Sequence, residues 1–153
     1  MANHLRRLAH VQMNHAMLTQ LKHLAQQHQP TEICGVLLGK YAAGGMQIEE
    51  VLPVRNVAPD PLHHFELEPH TWVRLAMQHQ NRMLGIFHSH PSSAPTPSPR
   101  DLRDLQLFGQ LIYAYLIIGL SDEAEPNLHI NCYSVIPKSD LQLGLEPIQL
   151  KHD

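Results

Sequence analysis

Leu84-Gly85-Ile86-Phe87-His88-Ser89-His90-Pro91, then six residues, then Ser98-Pro99-Arg100-Asp101 is the stretch that organises the chain. It reads as a strand over 84–88 that meets a loop at Pro91. Pro91, Pro95 and Pro97 deny the next residues both ladder and helix hydrogen bonds. Ser98 as N-cap, Pro99 as first helical residue and an acid in the first turn then open a helix running to about Gln110. Side chains two apart on a strand share a face, so His88 and His90 point together and Ser89 points away. With a carboxylate eleven residues beyond His90, this makes three candidate ligands for one metal with a fourth position open. Zinc held by three protein groups and a water is a catalytic arrangement, whereas four protein groups make a structural one. Helix capping also accounts for Ser98 and Asp101 without any metal, and the two readings coexist, because a first-turn acid is already held in place.

Working outward, the chain alternates strands and helices. A strand is expected over 5–11, a helix over 14–28 with Asn14 as N-cap and Pro30 beyond its end, and a buried strand over 32–40. The turn Ala42-Ala43-Gly44-Gly45 leads into a returning strand over 46–57. A loop at 58–61, a short strand over 63–67 and a helix over 69–82 follow. After the Ser98 helix, strands are expected over 111–120 and 128–136, with a last edge strand over 141–150. The order implies a mixed α/β domain spanning 1–153, its central sheet curved, largely antiparallel and flanked by helices.

Composition narrows the function classes. The 153 residues are 43% apolar and 16% charged, with a net charge of −3. These are globular-protein values that give no sign of a nucleic-acid or membrane-surface partner. No apolar run is long enough to span a membrane, and the first eleven residues carry no export-type apolar stretch. A cytoplasmic location is the expectation. Cys34 and Cys132 are read as reduced, buried thiols. Among the 13 histidines, His63 and His64 are read as surface residues, with the rim of a substrate groove as the alternative. His10, His15, His23, His28, His70 and His79 are read as solvated.

His88-Ser89-His90-Pro91, six residues, Ser98 and Asp101 resemble the signature of the JAMM (MPN+, JAB-domain) zinc metallopeptidases, H-[ST]-H-P-x6-S-x-x-D. Upstream, Glu32-Ile33-Cys34-Gly35-Val36-Leu37-Leu38-Gly39 resembles the family's glutamate-bearing strand, and Phe65-Glu66-Leu67-Glu68-Pro69 looks like its compact prokaryotic members. The resemblance runs from about Asn14 to Leu120. It implies that His88, His90 and Asp101 bind one zinc, with a water as fourth ligand. It implies that Glu32 is general base and then general acid, and that Ser98 helps stabilise the oxyanion. The implied reaction is hydrolysis of a peptide or isopeptide bond at the C-terminal Gly-Gly of a ubiquitin-like or sulfur-carrier protein. The chain has no room for the insertions by which eukaryotic relatives grip ubiquitin. The alternatives are a non-catalytic MPN-type scaffold, a small-molecule amidase and a DNA-repair-associated relative.

Overall fold

A computed structural model of the protein describes residues 7–120 and 129–152. Seven strands form one sheet: β1 (His10–Met13), β2 (Cys34–Ala42), β3 (Gly45–Val54), β4 (Met83–His90), β5 (Ala114–Gly119), β6 (His129–Ser139) and β7 (Gln142–His152). Helices α1 (His15–Gln27), α2 (Pro69–Gln78) and α3 (Pro99–Leu105) lie between them, and a 3-10 segment (Gln106–Leu111) follows α3. No helix among the described residues is long and apolar enough to cross a membrane.

The mixed α/β expectation holds, but the sheet is not a curved sheet with its last strand at an edge. In the order β1-β3-β2-β4-β5-β6-β7 it closes into a barrel. β1 makes the closure, pairing in parallel with β3 through Val11 and Gln12 and with β7 from His10↔Gln149 to Met13↔His152. The strand expected at an edge, β7, therefore has a neighbour on each side. β1 is four residues long and its partners are remote in sequence, so no local pattern announces either pairing.

Several boundaries also move. Of the first expected strand, Leu5 and Arg6 lie outside the described residues, as does Leu128 at the start of another; strand pairing begins only at His10. β2 starts at Cys34, leaving Glu32 ahead of its ladder. β4 continues through Ser89 to His90. The expected strand over 63–67 is a loop whose one bridge joins Leu67 to Asn56. The helix after Ser98 stops at Leu105 and turns 3-10, with Gly109 at a φ of 59°. His10, expected in solvent, is buried on β1 with its ring against Gly45.

β2, β4 and β5 bury both faces, which is why they read as nearly unbroken apolar runs. On one face Leu37, Phe87, Leu116 and Ile118 join Leu21 and Ala25 of α1. On the other Val36, Leu38, Ile86, Tyr115 and Ile117 join Leu105 at the end of α3, with Trp72 and Leu75 of α2 packed alongside. Strand alternation puts His88 and His90 on this second face with Ile86, and Ser89 on the first with Phe87.

Two substitutions test this packing. A Cβ on Gly35 would lie 2.4 Å from both the Leu52 carbonyl oxygen and the Phe87 ring, and backbone cannot yield cheaply. Gly35→Ala is expected to cost about 1–3 kcal/mol of unfolding free energy in urea titration. Glu68 caps α2 by accepting the Thr71 hydroxyl at 2.6 Å and the Thr71 and His70 N–H groups at 2.8 and 3.0 Å. The Thr71 hydroxyl first, then these N–H groups, hold its carboxyl down at about 2. A depressed carboxyl stabilises the fold above its unfolded value, and that stability is lost as pH falls through the folded one. The wild-type urea midpoint is therefore expected to exceed that of Glu68→Gln at neutral pH, and the two to converge as pH falls from about 5 to about 2.

Candidate metal centre

The last turn of strand backbone before Pro91 and the first turn of α3 meet at one point. His88 Nε2 and His90 Nε2 face each other at 2.9 Å. Asp101 Oδ2 stands 3.3 Å from the first and 3.2 Å from the second. All three residues are buried. Four ligands at ordinary zinc distances in a tetrahedron lie about 3.3 Å from one another, so these spacings suit a single small cation among the three atoms.

Local structure aims each atom. His88 and His90 are two apart on β4. The His90 Nδ1–H donates to the Ala94 carbonyl at 2.8 Å; a carbonyl can only accept, so the Nε2 of the neutral ring carries the lone pair. His88 is fully buried, with Phe65 stacked on it at 4.2 Å and 24° and Tyr115 edge-on at 5.4 Å. Its Nδ1 has no hydrogen-bond partner. Asp101 is held by a capping box. Ser98 Oγ accepts the Asp101 N–H at 3.0 Å, and Asp101 Oδ2 accepts the Ser98 N–H at 3.0 Å. The capping and metal readings of Asp101 are thus one geometry, since the capping oxygen is the one that faces both imidazoles. Half-buried Ser98 uses its hydroxyl only as an acceptor there and keeps a proton to donate.

Glu32 comes from the segment that leads into β2, the antiparallel neighbour of β4. With His88 and His90 it forms a buried group whose ligand atoms lie within 4.8 Å of one another. Its Oε1 is buried without a partner. Burial is the main cause that pushes its carboxyl up to about 8; His90 opposes the rise, and Asp101 and Asp60 add to it. Burial alone would raise the Asp101 carboxyl, but the His88 and His90 rings outweigh it and hold it well below the usual range. Burial lowers His88, favouring the neutral, ligating ring. In His90 the lowering by burial is outweighed by Asp101, the Ala94 carbonyl and Glu32, and the net shift is upward. An unpaired buried carboxylate oxygen, a lowered Asp101 and converging imidazole nitrogens form a donor set that suits a cation.

The other sequence readings sort clearly. Cys34 is buried and its Sγ–H points to the Val54 carbonyl at 3.4 Å. Burial first, then Glu32, pushes the thiol up to about 12, so it stays a protonated core residue. Cys132 is likewise buried and free. His63 is exposed and pairs with Asp60 at 2.9 Å, as a surface residue should. His64 is instead buried, its Nε2 without a partner, because the loop over 57–66 folds back on Asn56. Three contributors escaped the sequence. Asn56 reads as strand, Ala94 acts through its carbonyl, and Ser89 Oγ accepts the Ile33 N–H at 2.9 Å beside Glu32. Phe65 left a signal only through the family-like Phe65-Glu66-Leu67-Glu68-Pro69 run.

Removing one imidazole takes away one of the three converging atoms. After incubation with zinc and gel filtration, His88→Ala is expected to retain only a small fraction of the metal that the unsubstituted chain retains, read by elemental analysis.

Comparisons with known proteins identify the relatives of this chain. A family model described as prokaryotic homologs of the JAB domain matches residues 14–132. The desampylase of Haloferax volcanii is 36% identical over 91 residues, covering 58% of this chain and 62% of that protein. The probable TtuB-protein conjugate cleaving protease of Thermus thermophilus is 35% identical over 65 residues, 40% of this chain and 44% of that protein. The desampylase of Pyrococcus furiosus is 33% identical over 78 residues, 49% and 52% of the two. The matches thus span from 44% to 62% of these curated relatives' lengths. Protein DSY2949 from Desulfitobacterium hafniense, known from its solution structure, aligns over 94% of each chain at a TM-score of 0.67 and 25% identity. The family match takes in Glu32, His88, His90, Ser98 and Asp101 within one continuous span, and the chain belongs to the prokaryotic JAB-domain family.

Proposed function

We propose that the protein is a zinc-dependent peptidase that cleaves a peptide or isopeptide bond at the C-terminal Gly-Gly of a ubiquitin-like or sulfur-carrier protein. The observation that carries this reading is the convergence of His88 Nε2, His90 Nε2 and Asp101 Oδ2 within 2.9–3.3 Å, beside a buried Glu32 oxygen with no partner. The names of the Haloferax, Thermus and Pyrococcus relatives support the substrate class.

His88, His90 and Asp101 would hold the zinc. When bound, zinc supplies a Lewis acid and brings the pKa of a water to about 7. Glu32 takes the proton from the attacking water as general base. It then delivers that proton to the nitrogen of the leaving amine as general acid. A carboxyl lifted to about 8, mainly by burial, would be brought down by a neighbouring cation, into the range where it can both take and give a proton near neutral pH. Ser98 donates its remaining hydroxyl proton to the carbonyl oxygen as negative charge develops there. Phe65 and Tyr115 keep water from the His88 ring, and the Ala94 carbonyl keeps the His90 lone pair aimed inward. No covalent intermediate is needed.

Glu32→Gln separates binding from chemistry. It is expected to keep one zinc per chain and to lose about 10²–10⁴-fold in hydrolysis of a carrier–protein conjugate, followed by mass spectrometry. Equal turnover in both proteins would overturn the general-base assignment.

A further inference from the structure

Glu32 precedes the β2 ladder, so sheet pairing does not hold its backbone. Its N–H donates to the Pro61 carbonyl at 2.8 Å, and its own carbonyl accepts from Asn56 Nδ2 at 2.9 Å. The Asn56 amide does more than this. Nδ2 also donates to the His64 carbonyl at 3.1 Å, while Oδ1 accepts the Ala58 and Glu66 N–H groups, each at 3.0 Å. The nitrogen faces two carbonyls and the oxygen two N–H groups, so the amide has one satisfiable orientation, and in it both protons and both lone pairs are used. His64 and Glu66 flank Phe65, whose ring lies on His88.

From this we infer that Asn56 is a positioning residue of the metal centre: one side-chain amide sets the backbone of Glu32 and the ring of Phe65 relative to His88. The bond to Ala58 is an ordinary two-residue Asx turn. The bonds to Glu32, 24 residues away, and to both neighbours of Phe65 are not local and tie three segments to one point. A misplacement of about 1 Å in a catalytic group costs on the order of 10²-fold in rate, and Asn56 is what fixes the Glu32 carbonyl side. The inference rests on the proposed peptidase reading for its kinetic arm only.

Asn56→Asp is the informative variant, because it keeps the acceptor bonds to Ala58 and Glu66 and turns an oxygen toward the Glu32 and His64 carbonyls. In the zinc-loaded full chain it is expected to lower kcat on a carrier–protein conjugate at least tenfold, with KM and zinc per chain unchanged. In the cobalt-loaded chain it is expected to shift the visible absorption bands, which report the metal surroundings without turnover. Asn56→Ser keeps only the local turn and is expected to do the same, and it serves if the aspartate variant does not fold. A merely structural role would lower the urea midpoint while leaving kcat per metal-loaded chain and the cobalt spectrum as in wild type, and that result would overturn the inference. If zinc-loaded wild type cleaves no conjugate, the peptidase reading fails and the cobalt spectrum alone decides the role of Asn56.

Discussion

Asp101 Oδ2 accepts the Ser98 N–H while standing 3.3 and 3.2 Å from two buried imidazole nitrogens, and the rest of the site depends on that oxygen. A buried carboxylate costs several kcal/mol unless it is paired and hydrogen-bonded. Here the cap supplies the hydrogen bond, and the two rings, or a cation between the three atoms, supply the pairing. α3 has only seven residues, too few to hold a helix in water by themselves. It persists because Leu105 is buried in the core and because Ser98 and Asp101 close its first turn on each other. One side chain therefore starts a helix and faces both imidazoles, and the stability of the helix start fixes the geometry of that meeting point.

The double-sided burial of β4 follows the same economy. Odd positions Phe87 and Ser89 face the α1 side, where Phe87 packs into the core and Ser89 ties the backbone at Ile33. Even positions pass from apolar Ile86 to polar His88 and His90 as the strand leaves the sheet. The apolar stretch that anchors the strand and the two imidazoles of the candidate site thus lie on one face in continuous register. Glu32 arrives at the same height because Cys34 pairs with His88 across the β2–β4 ladder, so a residue two before Cys34 lies level with His90. Antiparallel register, not sequence proximity, joins positions 32 and 90.

Much of this was legible in the residues themselves. Ser98-Pro99-Arg100-Asp101 announces a capped helix by local hydrogen-bond chemistry, and His88-Ser89-His90 announces a shared face by strand geometry; both stand as read. The apolar runs around Gly35 and over 114–119 announce buried strands because both their faces are covered. The barrel closure was not legible, since β1 contributes four residues to two parallel pairings with strands far along the chain. The expected ends of both helices lay too far along the chain: the backbone turns out of α2 at His79, and α3 gives way to a 3-10 segment after Leu105.

The sequence alone determined the ligand-type residues, their spacing and the local elements that carry them, because strand alternation and helix capping act within a few residues. Only the tertiary structure decided which atoms meet. Glu32 reaches the histidines through cross-strand register, His64 is taken out of solvent by a folded-back loop, and Asn56 becomes a four-bonded clasp because three remote backbones converge on it. Hydrogen bonds and burial between distant segments follow from the closed sheet, and no window of neighbouring residues contains that information.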